Sequence, residues 1–271
     1  MAVDCMKRLV WITDIHLNFA SNHHLGSFCR AILDAAPDAV LLGGDIGEAP
    51  SVADYLHYLE RSLQRPIYFV LGNHDFYHGQ ISQVQASIVK LCGSSSLLRW
   101  LSAEDAIELT PETGLVGHDS WADGRFGKGA QSNVLLNDYL LIREFVGLSH
   151  PDRFKKLREM GDASADHFAR VLPKALKRFP SVILLTHVPP FRESCWHEGQ
   201  ISDDEALPHF SCKAVGEVLQ REMMARPDNN LTVLCGHTHG GGKVDILPNL
   251  HVITGASEYG SPRIQEVISI R

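Results

Sequence analysis

The chain lacks a hydrophobic run long enough to cross a membrane, and it lacks an excess of positive charge. No apolar stretch in its 271 residues approaches the roughly 20 residues that span a bilayer. The formal net charge is −7, which argues against a broad basic surface for duplex nucleic acid. A small anionic substrate is not excluded, because bound divalent ions would supply local positive charge. We therefore expect neither a membrane protein nor a binder of duplex nucleic acid.

Cysteine pairs with the spacing of a redox or zinc motif are also absent. The six cysteines, at positions 5, 29, 92, 195, 212 and 235, include no CxxC pair. We expect all six to be reduced thiols, which favours a cytoplasmic protein. Lys7-Arg8 leads directly into the first predicted strand without a signal-peptide hydrophobic region, which supports the same expectation.

The chain does contain a series of polar residues placed directly after short apolar runs. Each run has the length and aliphatic composition of a buried strand. Polar side chains at the carboxyl ends of parallel strands gather at one edge of a sheet, so we interpret these segments as one site. The five segments are Asp14-Ile15-His16, Gly44-Asp45, Gly72-Asn73-His74-Asp75, His187 and Gly236-His237-Thr238-His239.

The donors in these segments predict two metal ions. Carboxylate, amide and imidazole groups occur without a thiolate, a mixture that suits Mn, Fe or Zn better than Ca. Seven ligands are too many for one small ion and suit two ions about 3.5–4 Å apart that share a carboxylate. Asp45 is the natural bridge, because it lies between the groups nearest in sequence. The predicted ligands are Asp14, His16, Asp45, Asn73, His187, His237 and His239.

Each segment taken alone is weak evidence for a metal. Asp-x-His is common in surface turns and helix caps, and Gly-Asn-His-Asp is compatible with a simple turn, since Asn and Gly tolerate positive φ. All five segments occur in one chain, and each follows an apolar run. Their combination leaves little room for coincidence.

Strands and helices alternate in the first third of the chain, which predicts a largely parallel sheet. Ser51 is expected to cap the second helix and Gly93 to end the third. Helices are predicted at about 25–36, 51–65 and 80–91.

The middle of the chain is less regular. Short strands at 107–109 and 114–116 predict a hairpin, and 132–145 and 152–179 are expected to be mostly helical with a kink or break at Pro173. Two further strands are expected at 243–247 and 251–254. We expect one domain over residues 1–271, with a helical insertion at about 130–179 and a long loop at about 189–212.

The motifs together resemble those of the calcineurin-like metallophosphoesterase superfamily. Its pattern of Asp-x-His, Gly-Asp, Gly-Asn-His-Asp/Glu, a lone His and Gly-His-x-His is present from Asp14 to His239. The resemblance implies an α/β fold, a four-layer α/β/β/α sandwich with two central mixed β-sheets. It assigns Asp14, His16 and His239 to a first metal ion, Asn73, His187 and His237 to a second, and Asp45 to the bridge.

The resemblance also implies a reaction, the hydrolysis of a phosphoester by in-line attack of metal-bound hydroxide on phosphorus. His74 would then act on the phosphoryl group, as proton donor to the leaving oxygen or as a stabiliser of developing charge. Glu48 stands three residues after Asp45, where the family often has an acidic residue that orients this histidine. The expected cofactors are two divalent or trivalent ions, Mn and/or Fe, with Zn as an alternative.

Two departures from the family pattern narrow the substrate. Protein Ser/Thr phosphatases of this superfamily carry Arg directly after the acidic position and use Gly-Asn-His-Glu, whereas this chain has Ala49 and Asp75. We therefore expect a phosphatase or phosphodiesterase for a small phosphorylated molecule or nucleotide. The nuclease branch adds a capping domain, for which the residues after His239 leave little room, so a nuclease for single-stranded nucleic acid is a minor alternative. A silent scaffold is less expected, because such relatives typically lose ligands or the catalytic histidine.

Substrate contacts are expected from loops beside the site. Arg125, in the segment 118–127, could bind phosphate through both arms of its guanidinium. Trp121 could stack on a ring, with a place in the core as the alternative. Arg192 and His197, in the loop that follows the fourth segment, are further candidates. The sequence gives no oligomeric state.

Overall fold

The computed structural model describes residues 7–271, so Cys5 lies outside the described part of the chain. The five other cysteines are free thiols, as predicted. The strands are β1 (Lys7–Ile12), β2 (Ala39–Leu42), β3 (Ile67–Phe69), β4 (Leu98–Trp100), β5 (Ile107–Glu108), β6 (Thr113–His118), β7 (Ser181–Thr186), β8 (Trp196–His197), β9 (Gln200–Ile201), β10 (Asn230–Cys235), β11 (Gly242–Leu247), β12 (Leu250–Thr254) and β13 (Glu266–Ile270). The α-helices are α1 (Asn22–Asp34), α2 (Val52–Leu63), α3 (Ile81–Gly93), α4 (Asp138–Leu141), α5 (His150–Arg178), α6 (Leu207–Phe210) and α7 (Lys213–Met224).

Two large mixed sheets form the centre of the molecule. The first has the strand order β13-β1-β2-β3-β4, in which β1 to β4 are parallel neighbours and β13 is antiparallel to β1. The second has the order β11-β12-β10-β7-β6-β5, with a parallel centre and an antiparallel strand at each edge. The strands before all five predicted motifs therefore lie among the parallel neighbours, and their carboxyl ends share one side of the molecule.

The side chains of the central strands alternate between two cores, as the two-residue period of a strand requires. In β1, Val10 and Ile12 pack toward the helices, whereas Leu9 and Trp11 pack between the two sheets. Strand β7 alternates in the same way between the inter-sheet core and the core beneath α5 and α7. With α1, α2 and α3 over the first sheet, the molecule is a four-layer α/β/β/α sandwich, and the predicted fold class is confirmed.

Two local predictions differ in detail from the structure. Ser51 is the N-cap residue of α2, as predicted, but its hydroxyl bonds to the backbone of Glu48 and makes no capping hydrogen bond to the helix. Helix α5 continues through Pro173, because the buried residues on either side of the proline hold it against the second sheet. Of the two alternatives predicted at Pro173, the break is therefore wrong, and α5 belongs to the outer layer of the sandwich.

Two irregular segments also differ from the sequence prediction. The segment 132–145 is helical only at α4, and Ser132 at its start donates a hydrogen bond to the Glu205 carbonyl. The segment 189–212 contains the β8-β9 hairpin and α6, where the sequence predicts one long loop. The predicted β5-β6 hairpin is confirmed. Within residues 7–271, no helix combines the length and apolar composition of a transmembrane segment.

Candidate metal centre

Main-chain hydrogen bonds tie the loops after the strands to one another. The Asp14 amide donates to the Gly44 carbonyl at 3.0 Å, and the His16 amide donates to the Asp45 carbonyl at 2.9 Å. The Gly236 amide donates to the His187 carbonyl at 2.9 Å, which joins two loops of the second sheet. These bonds fix the relative positions of the loops, so the side chains are positioned by the ends of both sheets.

The backbone of the site is strained at the predicted ligands themselves. Five of the seven have a positive φ, a conformation that is uncommon for residues other than glycine. Such strain persists where the surrounding structure fixes the backbone, and it concentrates at functional sites. The five are Asp14 (φ 51°), His16 (39°), Asp45 (51°), His237 (72°) and His239 (59°).

A first group of donors converges around His16. Its Nε2 lies 3.0 Å from Nε2 of His239 and 3.8 Å from Oδ2 of Asp45. Nε2 of His239 lies 3.7 Å from Oδ1 of Asp14. One donor atom from each of these four residues lies within 4.8 Å of the others, the spacing that ligands of one ion require.

A second group of donors converges around Asn73. Its Oδ1 lies 3.0 Å from Nε2 of His187 and 2.9 Å from Nδ1 of His237. Oδ1 of Asp45 lies 3.4 Å from Nε2 of His187, while its other oxygen faces the first group. The structure thus brings all seven predicted ligands together, with Asp45 between the two groups.

The electrostatics of the site favour bound cations. Asp14, Asp45, Asp75 and Asp138 are all buried, and no Lys or Arg is among the buried residues in the described part of the chain. Burial, together with the neighbouring Asp14 and Asp75 carboxylates, raises the pKa of Asp45 well above its usual range. Buried carboxylates at this spacing repel one another, and bound metal ions would remove that repulsion.

The histidines of the site are suited to bind metal. Burial lowers the pKa of His16 to about 2 and that of His237 to about 3, so both imidazoles are neutral at pH 7. A neutral imidazole offers a free lone pair to a metal ion. Neutral imidazoles, buried carboxylates and one amide oxygen converge without a thiolate, so the residues present fit two metal ions.

Outer hydrogen bonds orient the second group of donors. Nδ1 of His187 lies 2.9 Å from the Gly43 carbonyl, and Nε2 of His237 lies 3.2 Å from the His209 carbonyl. Nδ2 of Asn73 donates to Oδ1 of Asp138 at 2.8 Å, which turns the Asn73 oxygen toward the histidines. Such bonds fix ligand orientation in metal sites. Asp138 was missed from the sequence, because it lies far from every motif and has no local signal.

Asp75 has a supporting function that the sequence did not reveal. Its carboxylate accepts hydrogen bonds from the backbone amides of Ile46, Gly47 and Gly72, each at 2.9 Å. It therefore joins the loop of the bridging Asp45 to its own loop. The position of Asp75 within Gly-Asn-His-Asp was the available signal, but the pattern does not state which amides it binds.

His74 lies beside the donors without belonging to either group. Its Nε2 is 4.0 Å from Oδ2 of Asp45, and its ring stacks on Tyr77 at 4.2 Å between centroids. Burial lowers the pKa of His74 to about 3. The predicted contact between Glu48 and His74 is not made, since Nδ1 of His74 is buried without a hydrogen-bond partner. The Glu48 carboxylate instead accepts a hydrogen bond from Asn18 at 3.2 Å and lies 3.9 Å from His78.

A cleft of about 300 Å³ opens beside the donors. His197 lies at this cleft, where its Nδ1 is 3.0 Å from the Thr238 carbonyl. The residues that line the cleft are Asn73, His74, Tyr77, Leu136, Asn137, Asp138, His197, Phe210, His237, Thr238, His239 and Tyr259.

The three other predicted substrate contacts do not line this cleft. Arg125 is paired with the buried Asp123 at 3.0 Å and with Asp162 at 2.7 Å, so its guanidinium is occupied by carboxylates. Arg192 is paired with Asp204 at 2.7 Å. Trp121 is buried and packs against Phe76 and Phe145, which is the core position considered as its alternative.

Comparison with known proteins agrees with this architecture. A phosphopantetheinyl hydrolase from Mycobacterium tuberculosis has 14% sequence identity and a TM-score of 0.65, with 94% of each chain covered. A dimetal phosphatase from Danio rerio has 14% identity and a TM-score of 0.60, with 97% of this chain and 98% of that chain covered. A protein from Thermus thermophilus has 14% identity and a TM-score of 0.54, with 98% of each covered. At these identities the likeness shows the fold.

Sequence comparison identifies the family. No curated protein matches the chain. The sequence model described as calcineurin-like phosphoesterase matches residues 7–241, a span that holds all five motifs. The chain therefore belongs to the calcineurin-like phosphoesterase family.

Proposed function

We propose that the protein is a dimetal-dependent phosphoester hydrolase, a phosphatase or phosphodiesterase that acts on a small phosphorylated molecule or nucleotide. One observation carries the proposal: two groups of neutral and anionic donors converge on either side of Asp45, next to an open cleft. Two metal ions about 3.5–4 Å apart are typical of phosphoryl-transfer sites.

The donor residues would bind two ions at that site. Asp14, His16 and His239 would hold one ion, Asn73, His187 and His237 the other, and Asp45 both. Two ions bound there would neutralise phosphoryl oxygens and lower the pKa of a bound water. We propose Mn and/or Fe, with Zn as the alternative, because the donor set contains no thiolate.

His74 is the proposed catalytic side chain. It lines the cleft, and its imidazole is neutral at pH 7 because burial lowers its pKa. A neutral imidazole carries one N–H, which can donate a hydrogen bond to a phosphoryl or leaving oxygen. Stacking on Tyr77 fixes the ring plane, so the donor needs no reorganisation when charge develops.

The test is a turnover panel with defined metal content. Protein stripped with chelator is reloaded with Mn, Fe or Zn, and metal content is measured by mass spectrometry. The substrates are p-nitrophenyl phosphate and its bis-ester, mononucleotides, cyclic nucleotides, phosphosugars and single-stranded nucleic acid. We expect two ions per chain and metal-dependent turnover of at least one small ester. Metal-loaded protein without turnover of any ester would sink the proposal.

A further inference from the structure

The cleft beside the metal centre has no cationic side chain. Its lining consists of aromatic, amide, imidazole, hydroxyl and aliphatic groups with one carboxylate, Asp138, and within residues 7–271 no Lys or Arg belongs to it. Arg263, on the loop that carries Tyr259, donates to the Ala256 carbonyl and lines a different pocket with His24. Beyond the metal ions themselves, the cleft therefore offers no positive charge to a substrate.

This charge distribution discriminates between phosphate esters. A phosphomonoester carries a charge near −2 at pH 7, because its second pKa is about 6, whereas a diester carries −1. Asp14, Asp45 and Asp138 already offset part of the positive charge that two metal ions bring. A second negative charge on the substrate would enter the cleft without a cationic partner, which is costly in a partly desolvated site. The cleft therefore favours a monoanionic diester.

Two half-exposed aromatic rings stand at the side of the first donor group. Phe19 is 53% exposed and Tyr259 is 49% exposed, and their ring centroids lie 4.9 Å apart. The Tyr259 ring also lies 4.6 Å from the His16 ring and 5.1 Å from the His239 ring. A paired exposed aromatic surface that continues into a polar site is typical of a ligand-binding surface.

The loop that carries Tyr259 is fixed to the metal centre. The Ser257 amide donates to the His239 carbonyl at 3.1 Å, and the Ser257 hydroxyl donates to the Asp14 carbonyl at 2.6 Å. Farther along the loop, Nδ1 of His24 lies 3.2 Å from the Gly260 carbonyl. The Tyr259 ring is therefore held at a set place beside the first donor group.

We infer that the substrate is a phosphodiester, and that a planar aromatic substituent of this diester stacks on Phe19 and Tyr259. This inference rests on the proposed function and adds to it the class of ester and the place of its second substituent. A nucleobase and a simple aryl group share the chemistry, since both present a flat π-face. The ester's single charge lies at the metal centre, and its aromatic substituent covers the two rings at the rim.

The first test compares substrates with one leaving group. Bis(p-nitrophenyl) phosphate, methyl p-nitrophenyl phosphate and p-nitrophenyl phosphate all release p-nitrophenolate. We expect the aryl diester to have a KM about tenfold lower than the methyl diester, the size of one base-aromatic stack. We also expect kcat/KM to be higher for both diesters than for the monoester. A monoester preference would overturn the inference while leaving a dimetal hydrolase in place.

The second test removes the rings one at a time. Tyr259→Ala and Phe19→Ala should each raise KM for the aryl diester about fivefold more than KM for the methyl diester. Tyr259→Phe keeps the ring and should retain the aryl preference. Tyr58→Ala, which removes another exposed aromatic ring on α2, is the matched control and should change neither KM. Equal effects on both diesters would overturn the stacking role.

A binding measurement separates this inference from the proposed function. Methyl(phenyl)phosphinate and dimethylphosphinate are monoanions with no ester bond to hydrolyse, and calorimetry on Mn-loaded protein measures their affinities. Preferential binding of the phenyl compound, lost in Tyr259→Ala, supports the aromatic subsite even if no ester is turned over. Turnover of esters without this preference retains the hydrolase and removes the subsite.

Discussion

The two donor groups of the metal centre differ in how the rest of the molecule holds them. Every side chain of the Asn73 group has a second hydrogen bond, to the Gly43 carbonyl, the His209 carbonyl or Asp138. In the other group, the Asp14 carboxylate accepts hydrogen bonds from the Thr13 hydroxyl and the His237 amide, but Nδ1 of His16 is buried without a partner. Outer contacts therefore orient every side chain of the Asn73 group but leave His16 in the other group without one, and both groups border the cleft. We expect the Asn73 group to hold its ion more firmly.

The largest loss of metal and activity should follow from replacing Asp45, the carboxylate that lies between the two donor groups. Asp45→Asn keeps the shape of the side chain but removes the charge shared by both groups. We expect the loss of both ions and a fall in kcat/KM on the order of a thousandfold. Metal content and turnover of the bis-ester check this outcome. Retention of one tightly bound ion would show that the two groups do not share this carboxylate.

Removing His74 should leave both donor groups intact. His74→Ala should keep two ions per chain and lower kcat by on the order of a hundredfold or more, because the hydrogen-bond donor at the phosphoryl group is lost. Metal analysis beside steady-state kinetics measures the two properties separately. Parallel loss of metal and turnover would assign the imidazole to the ligands.

The difference between the groups is tested directly by a matched pair. Asp138→Ala removes the carboxylate acceptor of Asn73 Nδ2 and leaves it only the longer contact to the Tyr77 hydroxyl, so we expect about a tenfold to a hundredfold weaker affinity for one of the two ions. Ser257→Ala removes a hydroxyl contact to the Asp14 carbonyl beside the other group and should change affinity less than about threefold. Calorimetric titration with Mn resolves the two sites. Equal weakening in both variants would contradict the proposed difference in support.

Lowering the pH should destabilise the metal-free protein equally through a histidine of either donor group. The folded pKa of His16 is about 2 and that of His237 about 3, against about 6.5 in the unfolded chain. Between these values the unfolded state binds more protons, so each histidine lowers stability as the pH falls below 6.5. From pH 7 to pH 5.5 we expect a loss on the order of 1 kcal/mol for each in metal-free protein.

Urea unfolding of metal-free variants measures this contribution. His16→Gln and His237→Gln should each reduce the loss of stability between pH 7 and pH 5.5 by a similar amount. His57→Gln is the control, because its side chain is 56% exposed on α2. A change in only one of the two variants would show that the groups differ in protonation as well as in support.

The smallest change in kcat is expected for a substitution at Glu48. Its carboxylate contacts Asn18 and His78 and makes no hydrogen bond to His74. Glu48→Gln should therefore lower kcat by less than about threefold, as expected for partly exposed polar contacts. Steady-state kinetics on the bis-ester test this. A loss comparable with that of His74→Ala would restore the orienting function that the family resemblance assigned to Glu48.

The sequence predicted which side chains converge at the site better than it predicted the residues around them. Asp14, His16 and Asp45 could be found because each follows an apolar strand directly, so one local pattern specifies both the strand and the residue at its end. Asp138 could not be found this way, because a short helix in an irregular segment brings it to Asn73. Arg125 had suitable chemistry in a suitable loop, but its pairing with Asp123 and Asp162 depends on how α5 packs.

Local structure was predictable to a similar degree. The alternation of strands and helices specified the parallel sheet, since each element buries one face by its own periodicity. Helix α5 is not broken at Pro173, one of the two outcomes expected there, because packing of α5 on the second sheet outweighs the loss of one helical hydrogen bond.

The family, the strands and the donors that follow them could be predicted from the sequence alone, because each depends on residues close together in the chain. The tertiary structure alone decided which groups support those donors and which reach the cleft. Asp138, Tyr259 and Phe19 reach the metal centre from distant segments, and a local sequence pattern does not predict contacts between distant segments. The residue at the end of a strand is specified locally, whereas the charge and shape around it depend on side chains from all the segments that pack there.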